Sequence, residues 1–378
     1  MSAILTLNAG SSSIKFAAYT QAEAPQLVGA GQVERIGGVA RLDVDGTKTA
    51  TDACDHASAV QAILGAIRPM LGGGHVAAVG HRIVHGGPDY AAPMVLTADV
   101  LTTLAGLIPL APLHQPHNLA AVNAAQAAFT DAVQVGCFDT AFHQGHAFAN
   151  DTYGLPRAFY DRGIRRYGFH GLSYDYIAGV LRRDFPDLAA GRVVVAHLGN
   201  GASLCGMRDG RSVSTTMGFS ALDGLAMGTR CGQIDPGVIL YLLDQGMGAP
   251  ELTDLLYRQS GMLGLSGISH DMRTLLDSDA PEAAQALDYY IERLRREIGA
   301  MAATLGGIDA LVFCGGVGEN AAPIRARTVD GLAFLGLTLD SAANSANSQD
   351  IGSGAARILI IPTDEELVIA RAATALLT

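Results

Sequence analysis

AILTLNAGSSSIKFAAYT (residues 3–20) and GRVVVAHLGNGASLCGMRDGRSV (residues 191–213) share one layout. Each is an apolar strand, a small turn of Gly with Asn or Ser, and an outgoing strand. The letters match weakly and the layout strongly, which reads as an internal duplication with one phosphate-facing hairpin in each half. The chain has 378 residues, and at roughly 100 to 200 residues per domain that length accommodates two domains.

Outward from the first hairpin, residues 57–70 read as a helix and 76–84 as a buried strand ending at HGG. Residues 97–108 read as a helix, after which Pro109, Pro112 and Pro116 force an irregular stretch over 109–118. A helix over 118–129 and the strand AVQVGCFD (132–139) follow. Beyond the second hairpin, helices are expected near 237–243, 251–258 and 282–301. Then come the strand IDALVFCGG (308–316), a glycine turn, a helix over 322–331, the strand ARILIIP (356–362) and a terminal helix over 365–377. Alternation of strands and helices makes the chain a layered α/β protein.

Composition narrows the function. A formal charge of -11 argues against a protein that wraps nucleic acid, which needs a basic face. The short basic run of Arg162, Arg165 and Arg166 reads as pocket wall or local surface. Five cysteines, odd in number and without a CxxC pair, fit a reducing cytoplasm rather than a disulfide framework. No secretory leader is visible, and apolar runs break before about 18 residues, so no membrane span is expected.

The glycine turns carry the chemistry. There is no GxxxxGK[ST] and no GxGxxG after a strand. Nucleotide binding would instead use three glycine-bearing turns that directly follow apolar strands: residues 8–12, 197–202 and 315–320. Such turns can present successive N–H groups to phosphate, or can be plain tight turns. Arg82 in GHRIVHGG and Arg230 in MGTRCGQIDP lie beside glycines, where a guanidinium can hold an oxyanion with two parallel donors or serve an interdomain ion pair. Of three histidines in apolar or glycine surroundings, His170 suits donation to a phosphoryl oxygen, whereas His114 and His197 are open between structural and catalytic roles. HExxH is absent, which disfavours a zinc centre. Asp139 follows a buried strand and can orient an arginine or a metal-bound water. Glu365 opens the last helix and suits Mg²⁺, unless Thr363 or Asp364 is only a cap and Glu365 or Glu366 a first-turn charge. Asp271 and Arg273 are candidates for a base or ribose pocket.

In number and order these stretches resemble the acetate kinase family, the acetokinases that share the actin, sugar-kinase and heat-shock ATPase fold. The resemblance runs nearly the full chain: LNAGSSSIKF (7–16), GHRIVHGG (80–87), PLAPLHQPHN (109–118), FDTAFH (138–143), RRYGFHGLSYDY (165–176) and HLGNGASLC (197–205). It continues through TTMGFSALDGLAMGTRCGQIDPG (215–237), SGMLGLSGISHDMR (260–273), FCGGVGEN (313–320) and IPTDEEL (361–367).

The resemblance implies two duplicated actin-like (ribonuclease H-like) α/β domains with mixed sheets flanked by helices and the active site in the interdomain cleft. Residues 1–144 plus 366–378 would form the N-terminal domain and 145–365 the C-terminal nucleotide-binding one. It implies reversible transfer of the ATP γ-phosphoryl group to acetate with Mg²⁺, or Mn²⁺, in a cytoplasmic homodimer. Arg82, Arg230 and His170 match residues on the transferring phosphoryl, and Asp139 matches a catalytic acid that positions arginine. Asn8 and Glu365 match the metal side. Lys15, His197, Leu198, Gly199, Asn200, Gly201, Asp271, Met272, Arg273, Gly315, Gly316, Val317, Gly318, Glu319 and Asn320 match nucleotide positions. Val84, Leu113, His114 and Phe169 join Arg82 around the acid.

The chain also departs from the family pattern. STTMGFSALDG stands where DTSMGFTPLEG is common, placing Ser214 for an acid and Ala221 for a pocket proline. Gln233 and Asp364 replace the usual GDIDP aspartate and TNEE asparagine. Losing the wall proline widens or loosens the acid pocket. One methylene is worth about 1 to 3 kcal/mol of discrimination, so propionate use is expected as an alternative.

Overall fold

The computed structural model describes residues 2–377 and divides into two compact units. One comprises the residues up to Phe142 together with those from Asp364 onward, and the other comprises His143–Thr363.

The first unit holds strands β1 (Ser2–Ala9), β2 (Ser13–Thr20), β3 (Leu27–Glu34), β4 (Arg41–Val44), β5 (Thr47–Ala50), β6 (His75–Ile83), β7 (Met94–Val95) and β8 (Val133–Phe138). They form one sheet in the order β5-β4-β3-β2-β1-β6-β8-β7. β1 pairs antiparallel with β2, and β2 with β3, whereas β1, β6 and β8 run parallel. Ala3, Ile4, Leu5 and Leu7 of β1 are all buried. The strand is a continuous apolar run because helices cover both faces of the sheet around it. One helix on the sheet is His56–Met70, capped by Asp55. The terminal helix Glu365–Ala375 packs on β1 and β6. Gly80 permits that approach: a Cβ there would lie 2.4 Å from Ile369 Cγ2.

The second unit holds β9 (Arg192–Leu198), β10 (Ala202–Arg208), β11 (Arg211–Thr215), β12 (Ala310–Cys314) and β13 (Arg357–Ile360), ordered β11-β10-β9-β12-β13. Its first three strands are antiparallel and its last two join parallel. That is the order and sense of β3-β2-β1-β6-β8 in the first unit. The helix Pro281–Leu305 lies along this sheet; Ala283, Ala286, Leu287, Tyr290, Ile291, Leu294, Ile298, Met301, Ala302 and Leu305 make its buried stripe at helical spacing.

Several sequence expectations need correction. The glycine turn at 315–320 is a short helix, Gly315–Asn320. Gly315, at φ +75°, turns the chain straight out of β12, and a Cβ there would meet the Leu198 carbonyl oxygen at 2.8 Å. The irregular stretch ends before 118, because the helix Gln115–Ala128 accepts Pro116 in its first turn, where no intrahelical N–H is needed. Strands β3 to β5 and the helix Gly171–Asp184 were not foreseen. That helix buries Leu172, Ile177, Ala178, Val180 and Leu181, but the glycine and polar residues around its start hide the period.

Buried neutral histidines give the fold a pH dependence. His81 Nε2 lies 2.8 Å from Gln134 Oε1 inside the first unit, and burial pushes its pKa down to about 4. His143 in the second unit is pushed down to about 3, by burial and then by His146. In the unfolded chain both protonate near 6.5. The unfolded state therefore binds more protons below that value, and stability present above pH 6.5 is lost as pH falls towards the folded values. At pH 5 the loss is expected to be on the order of 2 kcal/mol per site. Urea unfolding at pH 7.5 and pH 5 measures it, and an unchanged midpoint would contradict neutral burial of these rings.

Candidate active site

In the first unit the functional side chains gather at the C-terminal ends of the parallel strands β1, β6 and β8. Arg82 is the penultimate residue of β6, Asp139 follows β8, Asn8 is near the end of β1, and Glu365 opens the terminal helix. Arg82 Nε donates to both Asp139 oxygens at 2.9 and 3.1 Å, and Nη2 donates to Oδ2 at 2.6 Å. Its Nη1 donates to Asn8 Oδ1 at 3.1 Å. Asn8 Nδ2 in turn donates to Glu365 Oε2 at 3.4 Å, which is 3.8 Å from Arg82 Nε.

Asp139 is 1% exposed and Arg82 22%. Burial alone would lower the Arg82 pKa, but the charges of Asp139 and Glu365 raise it, so the guanidinium is a permanent cation. Burial pushes the Asp139 carboxyl up, and the guanidinium opposes that shift. A fork held this rigidly by its inner edge is preorganised for an oxyanion.

Residues not picked from sequence build the surroundings. Asn118 accepts from Val84 N at 3.0 Å and donates to Ala9 O at 2.7 Å. Gln115 exchanges hydrogen bonds with the backbone of His85, at 3.2 and 3.0 Å. His56 Nε2 lies 2.8 Å from Gly10 O. These amides and the ring lock the turn after β1 and the segments carrying Val84, Leu113 and His114. Val84 is buried, and Leu113 and His114 are half-buried. The available signal was polar side chains, Gln115 and Asn118, among the prolines of PLAPLHQPHN. Lys15 is exposed on β2 opposite Asn8 in the register.

In the second unit His170 occupies a left-handed conformation (φ 58°) immediately before the helix Gly171–Asp184. Its Nδ1 is 2.8 Å from Ser203 Oγ, and its ring stacks on His197 at 4.3 Å. A Cβ on Gly201 would lie 2.9 Å from Arg230 Nη2 and 3.1 Å from His170 Nε2. The guanidinium and the imidazole thus border one spot, and a side chain at Gly201 would press on both. Arg230 is steadied by Nη1 donating to Ala221 O at 2.9 Å. Phe169, beside His170, is buried.

A cavity of about 570 Å³ opens within this unit, lined by Gly199, Asn200, Gly228 and the residues Gly316, Val317 and Asn320 of the short helix. Asp271, Met272 and Arg273 form another part of its wall, with Met227, Met262 and Tyr290. Arg273 bonds back to Asp271 at 2.6 Å, and that hydrogen bond holds the Asp271 carboxyl down at about 2. Leu198, Gly315 and Gly318 are buried, and they, His197, Gly201 and Glu319 do not line the cavity. The fully buried Arg325 braces the glycine-rich segment from below, with Nη1 donating to Gly318 O at 2.9 Å and Glu319 O at 3.0 Å. Nothing in the sequence sets it apart from other arginines of an expected helix.

The basic run resolves as local structure: Arg166 pairs with Asp223 at 2.9 Å, and Arg165 lies over the Tyr160 ring. Asp364 caps the terminal helix, accepting from Leu367 N at 2.9 Å. Gln233 accepts from Arg293 Nη2 at 2.9 Å.

Among the described residues no group of three or more His, Cys, Asp or Glu is arranged to hold a metal. The Glu365 carboxylate and the Asn8 amide oxygen, the latter accepting from Arg82, are hard oxygens, the donor type that suits an ion keeping most of its waters and taking its other ligands from phosphate.

The profile of the acetokinase family matches residues 3–371. Acetate kinase of Methylocella silvestris is 53% identical over 394 positions, covering 99% of this chain and 98% of that protein. Acetate kinase of Rhizobium meliloti is 51% identical, covering 100% and 99%. Among solved structures, a propionate kinase from Francisella tularensis superposes with a TM-score of 0.93 at 35% identity, covering 98% and 99%. Porphyromonas gingivalis acetate kinase superposes with 0.90 at 34% identity, covering both chains fully.

Proposed function

The chain belongs to the acetokinase family, and from that premise we infer how its residues carry out the reaction. It is an acetate kinase: it transfers the γ-phosphoryl group of ATP to acetate, giving acetyl phosphate and ADP. The observation that carries the mechanistic reading is the placement of Arg230 Nη2 and His170 Nε2 around Gly201, in the unit whose cavity is of nucleoside size.

A carboxylate oxygen of acetate attacks the γ-phosphorus in line, forming one P–O bond while the bond to the β–γ bridging oxygen breaks and ADP leaves with that electron pair. No residue has to remove a proton, because the acid is already an anion at neutral pH. Arg82, Arg230 and His170 hold the equatorial oxygens as their charge redistributes. Asp139 aims Arg82. The acid itself is bound by Arg82, Val84, Leu113, His114 and Phe169. Asn200, Gly199, Asp271, Met272, Arg273 and the segment Gly315–Asn320 bind the nucleotide, with Lys15, His197, Leu198 and Gly201 assigned to its phosphate side. Mg²⁺, or Mn²⁺, would be held by Asn8 and Glu365 and would supply neutralisation of phosphate charge.

The shared strand order of the two sheets supports reading the units as duplicated actin-like domains. We place the protein in the cytoplasm, a reading supported by its five free cysteines and by the finding that no described helix is long and apolar enough to cross a membrane. A homodimer is supported by the helix Pro236–Asp244, which buries none of its residues and exposes Leu240 and Tyr241.

Propionate is the alternative acid. By its resemblance to the family pattern Ala221 takes the place of a pocket-wall proline, and its carbonyl accepts from Arg230. Steady-state assays with acetate, propionate and butyrate, trapping the acyl phosphate with hydroxylamine, test both readings. Acetate and propionate are expected within roughly 200-fold of each other in kcat/KM. No hydroxamate from any acid would overturn the mechanism.

A further inference from the structure

Tyr290 presents a polar group that the mechanism above leaves unused. It lies on the buried stripe of the helix Pro281–Leu305, is 3% exposed, and lines the 570 Å³ cavity. Its hydroxyl is shielded from solvent and has no hydrogen-bond partner among the described residues. Burial raises its pKa, so it is a neutral phenol able both to donate and to accept. A buried hydroxyl without a partner is costly, and native proteins rarely retain one without a reason. A phenylalanine would fill the same space without that cost.

The neighbouring wall suggests the reason. Met227, Met262, Met272 and Leu276 share the cavity with Tyr290 and make an apolar slot suited to a flat ring. Methionines repack at low cost, so a ring entering the slot can reach the phenol. The heterocycle of a nucleotide is apolar on its faces and polar at its edge, and the wall matches that division.

We propose that Tyr290 is a specificity-determining residue of the nucleotide pocket, its hydroxyl completing its hydrogen bonding only when the polar edge of a nucleobase arrives. This rests on the reading of the cavity as the nucleotide site. The phenol is then held in an unsatisfied state in the free protein and satisfied by the ligand, so binding gains what folding forgoes.

The test is Tyr290→Phe in the full chain, with affinities for Mg-ATP and for inorganic tripolyphosphate measured by calorimetry and thermal midpoints taken with and without nucleotide. The variant is expected to unfold at the same or a higher temperature when free, to bind ATP about ten-fold more weakly, and to bind tripolyphosphate unchanged. Its ATP-induced rise in midpoint should shrink accordingly. Equal ATP affinity in the two proteins overturns the assignment, and so does a loss shared by tripolyphosphate, which would mark a general disturbance of the site. Wild-type protein that binds no ATP would instead overturn the nucleotide reading itself, an outcome visible before the variant is made.

Discussion

Arg230→Ala is expected to lower kcat about 1,000-fold while changing the KM for ATP by less than about ten-fold. The asymmetry follows from what the side chain faces. Arg230 is held through Nη1 by the Ala221 carbonyl, and its Nη2 borders the same spot as His170 Nε2. A donor placed there meets oxygens whose charge changes during transfer, whereas the cavity walls grip the parts of the nucleotide that do not change. Removing it therefore costs transition-state stabilisation more than ground-state binding. Gly201→Ala approaches the same point from the other side, since its methyl would press on both groups with no cost in backbone strain. It should also lower kcat, by roughly 100-fold, with little loss of stability. Steady-state rates with acetyl phosphate trapping measure both variants. An Arg230→Ala enzyme within about ten-fold of wild type would remove this arginine from the transition state.

Much of the site was legible because its parts sit at strand ends marked by glycine, and strand ends can be read from apolar runs. Arg82 and Asp139 stand out that way, whereas His170 and Arg230 stand out by their glycine neighbours alone, His170 before a helix and Arg230 in the stretch between β11 and the helix Pro236–Asp244. Their grouping was not legible. Asn8 and Glu365 are 357 positions apart, and only the parallel pairing of β1 with β6, with the terminal helix laid over both, makes them neighbours. Arg82 meets Asp139 because β6 and β8 are in a register that sets Arg82 against Cys137, two residues before the acid. Helix and turn were confused at 315–320, where low helix propensity is overridden by tertiary support from Arg325. The same limit hid Ser203, whose hydroxyl orients His170 and which reads in sequence as one more small strand residue.

Asp139→Asn should be the most damaging change in the first unit, affecting stability and turnover together. The carboxylate accepts three hydrogen bonds from Arg82 and is almost wholly enclosed. Asparagine keeps the shape but loses the charge, and its amide nitrogen turns a donor towards a guanidinium that is itself only a donor. Arg82 would then keep the charge of Glu365, 3.8 Å from its Nε, and the weaker influence of Glu366. Leaving a buried cation without its partner costs about 3 to 5 kcal/mol, and the partial exposure of Arg82 reduces that to about 2 to 3 kcal/mol here. The arginine would also be drawn towards Glu365 and Asn8, away from the orientation in which its outer edge can take an oxyanion. A fall in kcat of about 100-fold is expected, with KM for the acid raised. Asp139→Glu separates the two effects, because it restores the charge while displacing it by one methylene: stability should recover more than turnover. Urea unfolding and acetate saturation curves on the two variants supply the measurements. If Asp139→Asn unfolded as wild type does, the ion pair would not be what holds Arg82, and the positioning role given to Asp139 would fall with it.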